Sequence, residues 1–179
     1  MTQIGVNYGG ALYDLAAEEG IAAEILSQLQ VLEESFFREP AFLQLLSAPN
    51  ITKEERCDVV DKSLRGKVHA YVLNFLKILT ERGYAKHFAA CRKAYEQRYN
   101  ADNGILPVEA VTAVPLTEAQ TEKLTQKLQT ITGKTVKLQN TVEANCLGGV
   151  RLRYDGMQVD GTVLGRLDAI GDLLKNTVL

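Results

Sequence analysis

The sequence predicts an α+β protein, a six-helix bundle over residues 1–104 followed by a small α/β domain over residues 105–179. Three observations carry this. From Tyr8 to Tyr99 apolar residues recur at helical spacing. After Asn103-Gly104 they give way to β-branched, alternating segments, and near the end Asp155-Gly156 supplies a tight hairpin turn between two such segments.

In the first part, Tyr8, Ala11, Leu12 and Leu15 fall at i, i+3, i+4 and i+7 of a first helix that Gly20 is suited to end. A second runs from about Ile21 to Phe37 through Ile25, Leu29 and Leu32. Pro40 and Pro49 mark turns around a short third helix near Ala41 to Leu46, since the residue before a proline avoids the helical region. Thr52-Lys53-Glu54-Glu55 is a capping box opening a fourth helix with Val59, Val60 and Leu64, which Gly66 breaks. The fifth spans about Val68 to Arg82 with Val72, Phe75, Leu76 and Leu79 on one face, and Gly83 follows it. A sixth covers about Ala85 to Ala101.

In the second part Ile105 to Val114 reads as a strand closed by Pro115. Thr117-Glu118-Ala119-Gln120 is another capping box, for a helix carrying Leu124, Leu128 and Ile131 that Gly133 ends. Thr135 to Val142 alternates as a strand. Val150, Leu152 and Tyr154 then alternate with Arg151 and Arg153, Met157 to Asp160 return as the second arm of a hairpin, and Thr162 is placed to cap a last helix with Val163, Leu167, Ile170 and Leu174. The order is strand, helix, strand, hairpin, helix.

With 46% hydrophobic and 23% charged residues, the 179-residue chain has the composition of a soluble globular protein. A net charge of −2 and the lack of a Lys/Arg block argue against nucleic-acid binding, which needs a concentrated basic surface. Apolar runs are far short of the roughly 20 residues that cross a bilayer, and the N-terminus lacks the features of a leader or transit peptide. Cys57, Cys91 and Cys146 are widely spaced without a CxxC pair, as expected of buried thiols in a reducing compartment. His87 and Cys91 are four apart, but two ligands do not make a metal site.

No phosphate-binding loop, nucleophile elbow or metalloprotease motif occurs, and the two histidines have no Ser or Asp at motif spacing. Tyr8-Gly9-Gly10-Ala11 follows no strand and precedes no lysine; its small residues suit a helix that another helix approaches closely. The neighbouring glutamates of Glu18-Glu19, Glu33-Glu34 and Glu54-Glu55 do not face each other on a helix, so they read as solvated faces. Arg151 and Arg153 read as the wet side of a hairpin or part of a protein contact. One charge feature stands out: no Lys or Arg precedes Arg38, while Asp14, Glu18, Glu19, Glu24, Glu33 and Glu34 give the first two helices a formal −6, a field that would attract a basic segment.

These residues together resemble the δ subunit of bacterial and chloroplast ATP synthases, the oligomycin-sensitivity-conferring protein of mitochondria. Gly148-Gly149-Val150 through Asp160-Gly161-Thr162 to Gly165-Arg166-Leu167 is similar to that family's C-terminal signature. Tyr8 to Ala16, Leu46 to Ile51, Asn74-Phe75-Leu76 to Gly83, and Val114-Pro115-Leu116-Thr117 support it, and the resemblance covers essentially the full length. Gly9-Gly10, Tyr84 and Thr162 depart from the pattern, the last keeping a capping hydroxyl.

The resemblance implies a non-enzymatic peripheral-stalk (stator) subunit joining the F1 catalytic head to the stalk, so that proton-driven rotation is coupled to ATP synthesis. It implies that the bundle receives the N-terminal helix of an α subunit between its first and fifth helices, with Tyr8, Ala11, Leu12, Leu15, Phe75, Leu76 and Leu79 as candidate contacts. The second domain would engage the C-terminal end of the stalk b subunit. No cofactor or metal is expected, membrane association would come only through the complex, and the location would be the cytoplasmic face of a bacterial plasma membrane or, for an organellar source, the matrix or stroma. Two alternatives are a helical adaptor binding an amphipathic helix of another complex, and a small enzyme using Arg151, Arg153 and Asp160.

Overall fold

In the computed structural model, residues 2–143, 149–154 and 156–161 are described. The expected last helix, Cys146, and Gly148, Thr162, Gly165 and Arg166 of the signature lie outside them. The chain divides into two compact units, residues 1–99 and 100–179.

The first unit is helical throughout, as expected: α1 (Gln3–Glu18), α2 (Ala22–Arg38), α3 (Pro40–Leu46), α4 (Lys53–Leu64), α5 (Ala70–Glu81), a 3-10 turn (Ala85–His87) and α6 (Phe88–Asp102). Three starts differ from the sequence reading, the sixth helix beginning at Phe88 after the 3-10 turn rather than at Ala85. Helix α1 begins well before Tyr8, because the Thr2 hydroxyl accepts the Gly5 N–H and caps it. Helix α5 begins after Val68, because His69 Nδ1 accepts the Tyr71 N–H at 3.2 Å and takes the N-cap role usually filled by Ser or Asp.

The core of this unit joins Leu12, Ala16, Ile25, Leu29, Leu32, Val60, Val72, Leu76 and Leu79 with the rings of Tyr13, Phe36, Phe75, Phe88 and Tyr95. Two buried hydroxyls in it bond to backbone carbonyls: Thr80 donates to the Leu76 carbonyl, and Tyr95 donates to the Ala22 carbonyl. Arg56, almost fully buried, donates to the Leu46 carbonyl at 3.0 Å and so ties off the last turn of α3. Arg92 on α6 holds two carboxylates together, Glu33 of α2 through Nε and Glu96 through Nη1.

The tightest contact is between α1 and α6. Gly5 and Gly9, one turn apart, face Ala90, Cys91 and Ala94, and a Cβ at Gly9 would overlap the Cys91 carbonyl oxygen and stand 2.9 Å from the carbonyl carbon. The expectation that small residues here admit another helix is met. Cys91 is sealed beneath, and burial pushes its thiol up to about 11.

Helix α4 carries the expected capping box, with the Thr52 hydroxyl accepting the Glu55 N–H and the Thr52 N–H and hydroxyl both donating to the Glu55 carboxylate. Those donors, the backbone N–H first, hold Glu55 below its ordinary pKa of 4.5; Lys77 first, with burial opposing it and Arg65 adding to it, holds Asp61 below 3.8. A depressed folded-state pKa contributes stability above the ordinary value and loses it as pH falls through the lower, folded one. The thermal midpoint is therefore expected to fall as pH drops below about 4.5, and to fall less in a Glu55→Gln/Asp61→Asn variant. Circular-dichroism melts from pH 7 to pH 3 check this; parallel slopes for both proteins would contradict it.

The second unit contains β1 (Ile105–Thr112), α7 (Glu118–Thr132), β2 (Thr135–Val142), β3 (Val150–Tyr154) and β4 (Met157–Asp160). The sheet order is β2-β1-β3-β4, with β1 parallel to β2 and the other pairs antiparallel. Helix α7 makes the crossover that a parallel pair requires. Strand β1 stops at Thr112, short of the expected Val114. It also carries Pro107, tolerated because β3 pairs only with Glu109 to Thr112 and leaves Pro107 a neighbour on one side alone. Leu106, Val108 and Val136 form the small core, with Leu128 of α7 and Leu138, Leu152 and Tyr154 packed against it.

Candidate partner-binding surfaces

Two faces of α1 differ in exposure. Gly5, Gly9, Leu12, Tyr13 and Ala16 turn inward, and beside them runs the stripe Ile4, Tyr8, Ala11, Leu15. Tyr8 is half-buried, its ring edge-on to Tyr84 at 5.9 Å; Ala11 is exposed and Leu15 is 50% exposed. These three expected contact residues form one apolar surface. The other four do not lie on it: Leu12 is 4% exposed, and Phe75, Leu76 and Leu79 are buried in the core, because α5 turns its apolar face toward the other helices. The exposed apolar side chain of α5 is Ile78, at 45%, which the sequence reading passed over; an isoleucine beside Asn74 and Glu81 on the polar face was the available signal.

The second unit has its own apolar surface. Leu116, Leu124, Ile131 and Val150 line an open trough of about 810 Å³ along α7, rimmed by Lys123 and Lys127, and Ile131 is 80% exposed. On the hairpin, Met157 and Val159 are exposed opposite Tyr154 and Leu152. Asn140 anchors Leu116 of the trough: its Nδ2 donates to the Ala110 carbonyl and the Thr112 hydroxyl at 2.8 and 2.9 Å, and its Oδ1 accepts the Leu116 N–H at 2.9 Å. Asn140→Ala strips partners from three groups at once and is expected to lower the stability of this unit by about 2 kcal/mol, the half-buried site letting water replace part of the loss. Urea unfolding read on amides of the second unit measures it; a loss below about 0.5 kcal/mol would mean that the side chain is not what holds Leu116.

The signature residues that are described have structural roles. Gly149 has φ +87, a left-handed conformation that favours glycine, and the Gly161 N–H donates to the Val150 carbonyl at 3.0 Å, joining the two arms of the hairpin. Asp160 pairs with Arg151 at 3.1 Å across the strands, and Arg153 reaches Glu109 and Glu143. Arg151 and Arg153 are thus engaged by carboxylates on the polar face of the sheet, an arrangement of cross-strand ion pairs rather than of a reacting centre. Among the described residues no group of three or more His, Cys, Asp or Glu could hold a metal, and no helix is long and apolar enough to cross a membrane.

Exposed apolar stripes on well-packed small units are what a docking protein presents: a helical module and an α/β module, each with a face for a partner. The comparisons give this class a family. A family model described as ATP synthase delta (OSCP) subunit matches residues 4–174, and the chain belongs to that family. Its function is accordingly that of a subunit of ATP synthase. Similar proteins are the ATP synthase subunits delta of Rhodopirellula baltica, 29% identical over 94% of this chain and 75% of the relative, and of Alkaliphilus oremlandii, 28% identical over 98% of each chain. That of Clostridioides difficile is 28% identical over 98% of this chain and 97% of its own. The fold is also that of a chain in the mitochondrial ATP synthase hexamer of Toxoplasma gondii, with a TM-score of 0.76 at 20% identity over 97% of this chain and 98% of that one.

Proposed function

We propose that this subunit is the peripheral-stalk connector of its ATP synthase, holding the catalytic head to the stalk so that the head does not turn with the rotor, and that it catalyses nothing itself. The first unit takes the N-terminal helix of an α subunit along Tyr8, Ala11 and Leu15, and the second takes the C-terminal end of the stalk b subunit. The observation that carries the first assignment is the exposure of Ala11 and Leu15 in line with the half-buried Tyr8: an amphipathic helix laid along α1 would meet anchors at i, i+3 and i+7. For the second, the exposed side chains of Ile131, Met157 and Val159, with Leu124 half-buried in the trough, support a protein contact. Attachment to the membrane is through the complex, on the cytoplasmic face in a bacterium.

Titrating a synthetic peptide of the α subunit's N-terminal segment into the full chain tests the central claim. Saturable binding, with amide shifts concentrated at Tyr8 to Leu15, is expected; shifts confined to the second unit would overturn it. Co-purification with α, β and b subunits separates this reading from an adaptor serving another complex.

A further inference from the structure

The two halves of α1 are held to the bundle by different means. From Leu12 onward the helix is anchored by side chains: Leu12, Tyr13 and Ala16 are buried, and the Tyr13 ring stands edge-on to Tyr95 at 5.4 Å. Before Leu12, among the described residues, every buried position is a glycine, Gly5, Gly9 and Gly10, while Gln3, Val6 and Asn7 are exposed and Ile4 and Tyr8 are only partly covered. The glycine backbone fits closely against Ala90, Cys91 and Ala94. That fit removes little apolar side-chain surface from water, and each glycine weakens the helix relative to alanine. Two side-chain hydrogen bonds of this half, Thr2 with Gly5 and Gln3 with Asn7, close within it and do not tie it to α6.

The halves meet at a clamp. Arg98 of α6 donates through Nη1 to the Gly10 carbonyl at 3.1 Å and to the Asp14 carboxylate at 2.8 Å, and its guanidinium lies 5.8 Å from the centre of the Tyr13 ring. It therefore grips the one turn, Gly10 to Asp14, at which the glycines give way to the anchoring side chains.

We propose that residues 2–10 are a strap that opens from α6 as one cooperative unit while the rest of the bundle stays folded, with Arg98 fixing the point at which opening stops. This is a property of the free chain and needs no partner. A detached helix as short as Gln3 to Gly10 does not hold in water, so the strap unravels as it lifts and bares the Ala90 and Ala94 side of α6. Leu12, Tyr13 and Ala16 keep the rest of α1 in place, and the Gly10 carbonyl, held by Arg98, remains the acceptor for the Asp14 N–H one turn on.

Native-state hydrogen exchange of the full chain, followed amide by amide by NMR, tests it. Once corrected for intrinsic rates, Tyr8, Gly9 and Gly10 are expected to exchange at one common rate, about tenfold or more faster than Asp14, Leu15 and Ala16. Protection that is equal along α1, or that declines evenly from Ala16 toward Thr2 as in simple fraying, overturns the strap. In Arg98→Met, which keeps the stem and loses the donors, the Asp14 amide is expected to join the fast group, because the carbonyl that accepts it is no longer held; unchanged protection of Ile25, Leu29 and Leu76 reports that the core is intact. An Asp14 amide as well protected in Arg98→Met as in the wild type overturns the role of the clamp.

Discussion

Gly9→Ala is expected to destabilise the helical unit by about 3 kcal/mol, at the upper end of what overpacking costs. In an exposed helix interior the same exchange would stabilise by about 1 kcal/mol, because glycine is the poorer helix former. The sign here is decided by the neighbour. The added methyl would overlap the backbone carbonyl of Cys91 and stand 3.2 Å from the Ala94 Cβ, and neither can swing aside as a long side chain can. Helix α6 must move bodily, or α1 must lift and uncover Leu12 and Ala16. Urea denaturation followed by circular dichroism measures the loss, which corresponds to a fall in Tm of roughly 10–20 °C for a unit of this size. Gly5→Ala, with a contact at 2.8 Å to the Ala90 carbonyl oxygen, should cost less, and Gly10→Ala least, since only the flexible Arg98 guanidinium stands near it. A stable Gly9→Ala protein would show that the helices are farther apart than described.

Ala11→Asp, two residues on and on the opposite side of the same helix, has the contrary profile. Ala11 is exposed, so the free protein should keep its stability within about 0.5 kcal/mol. Under a docked helix, however, the carboxylate is buried among apolar side chains, and binding of the α-subunit peptide is expected to weaken about a hundredfold or more. Calorimetric titration of wild type and variant at equal salt gives the ratio. Ala11→Ser is the matched control, retaining most of the affinity because a hydroxyl costs far less to bury than a charge. Unchanged affinity in Ala11→Asp would remove α1 from the interface.

The contrast between Gly9 and Ala11 marks the limit of what could be read without coordinates. Both are small residues on one amphipathic helix, yet one is small because a backbone lies against it, and the other faces outward. The same limit explains the four expected contact residues found in the core. Leu12, Phe75, Leu76 and Leu79 have the spacing of a docking face, but an apolar stripe looks alike whether the bundle covers it or a partner does. Ile78, out of phase with that stripe, was for this reason passed over.

The sequence by itself determined what local chemistry controls: the capping boxes at Thr52 and Thr117, the change of period at Gly104, the hairpin arms on either side of Gly156, and the family to which the chain belongs. Each depends on residues within a few positions of one another, or on a motif that survives as a string. The tertiary structure alone decided the strand order β2-β1-β3-β4, the pairing of Asp160 with Arg151, the close approach of α1 to α6, and which part of α1 remains outside. Those depend on which distant segments come together, and burial is a property of that arrangement, with each apolar side chain covered or left uncovered by groups far away in the chain.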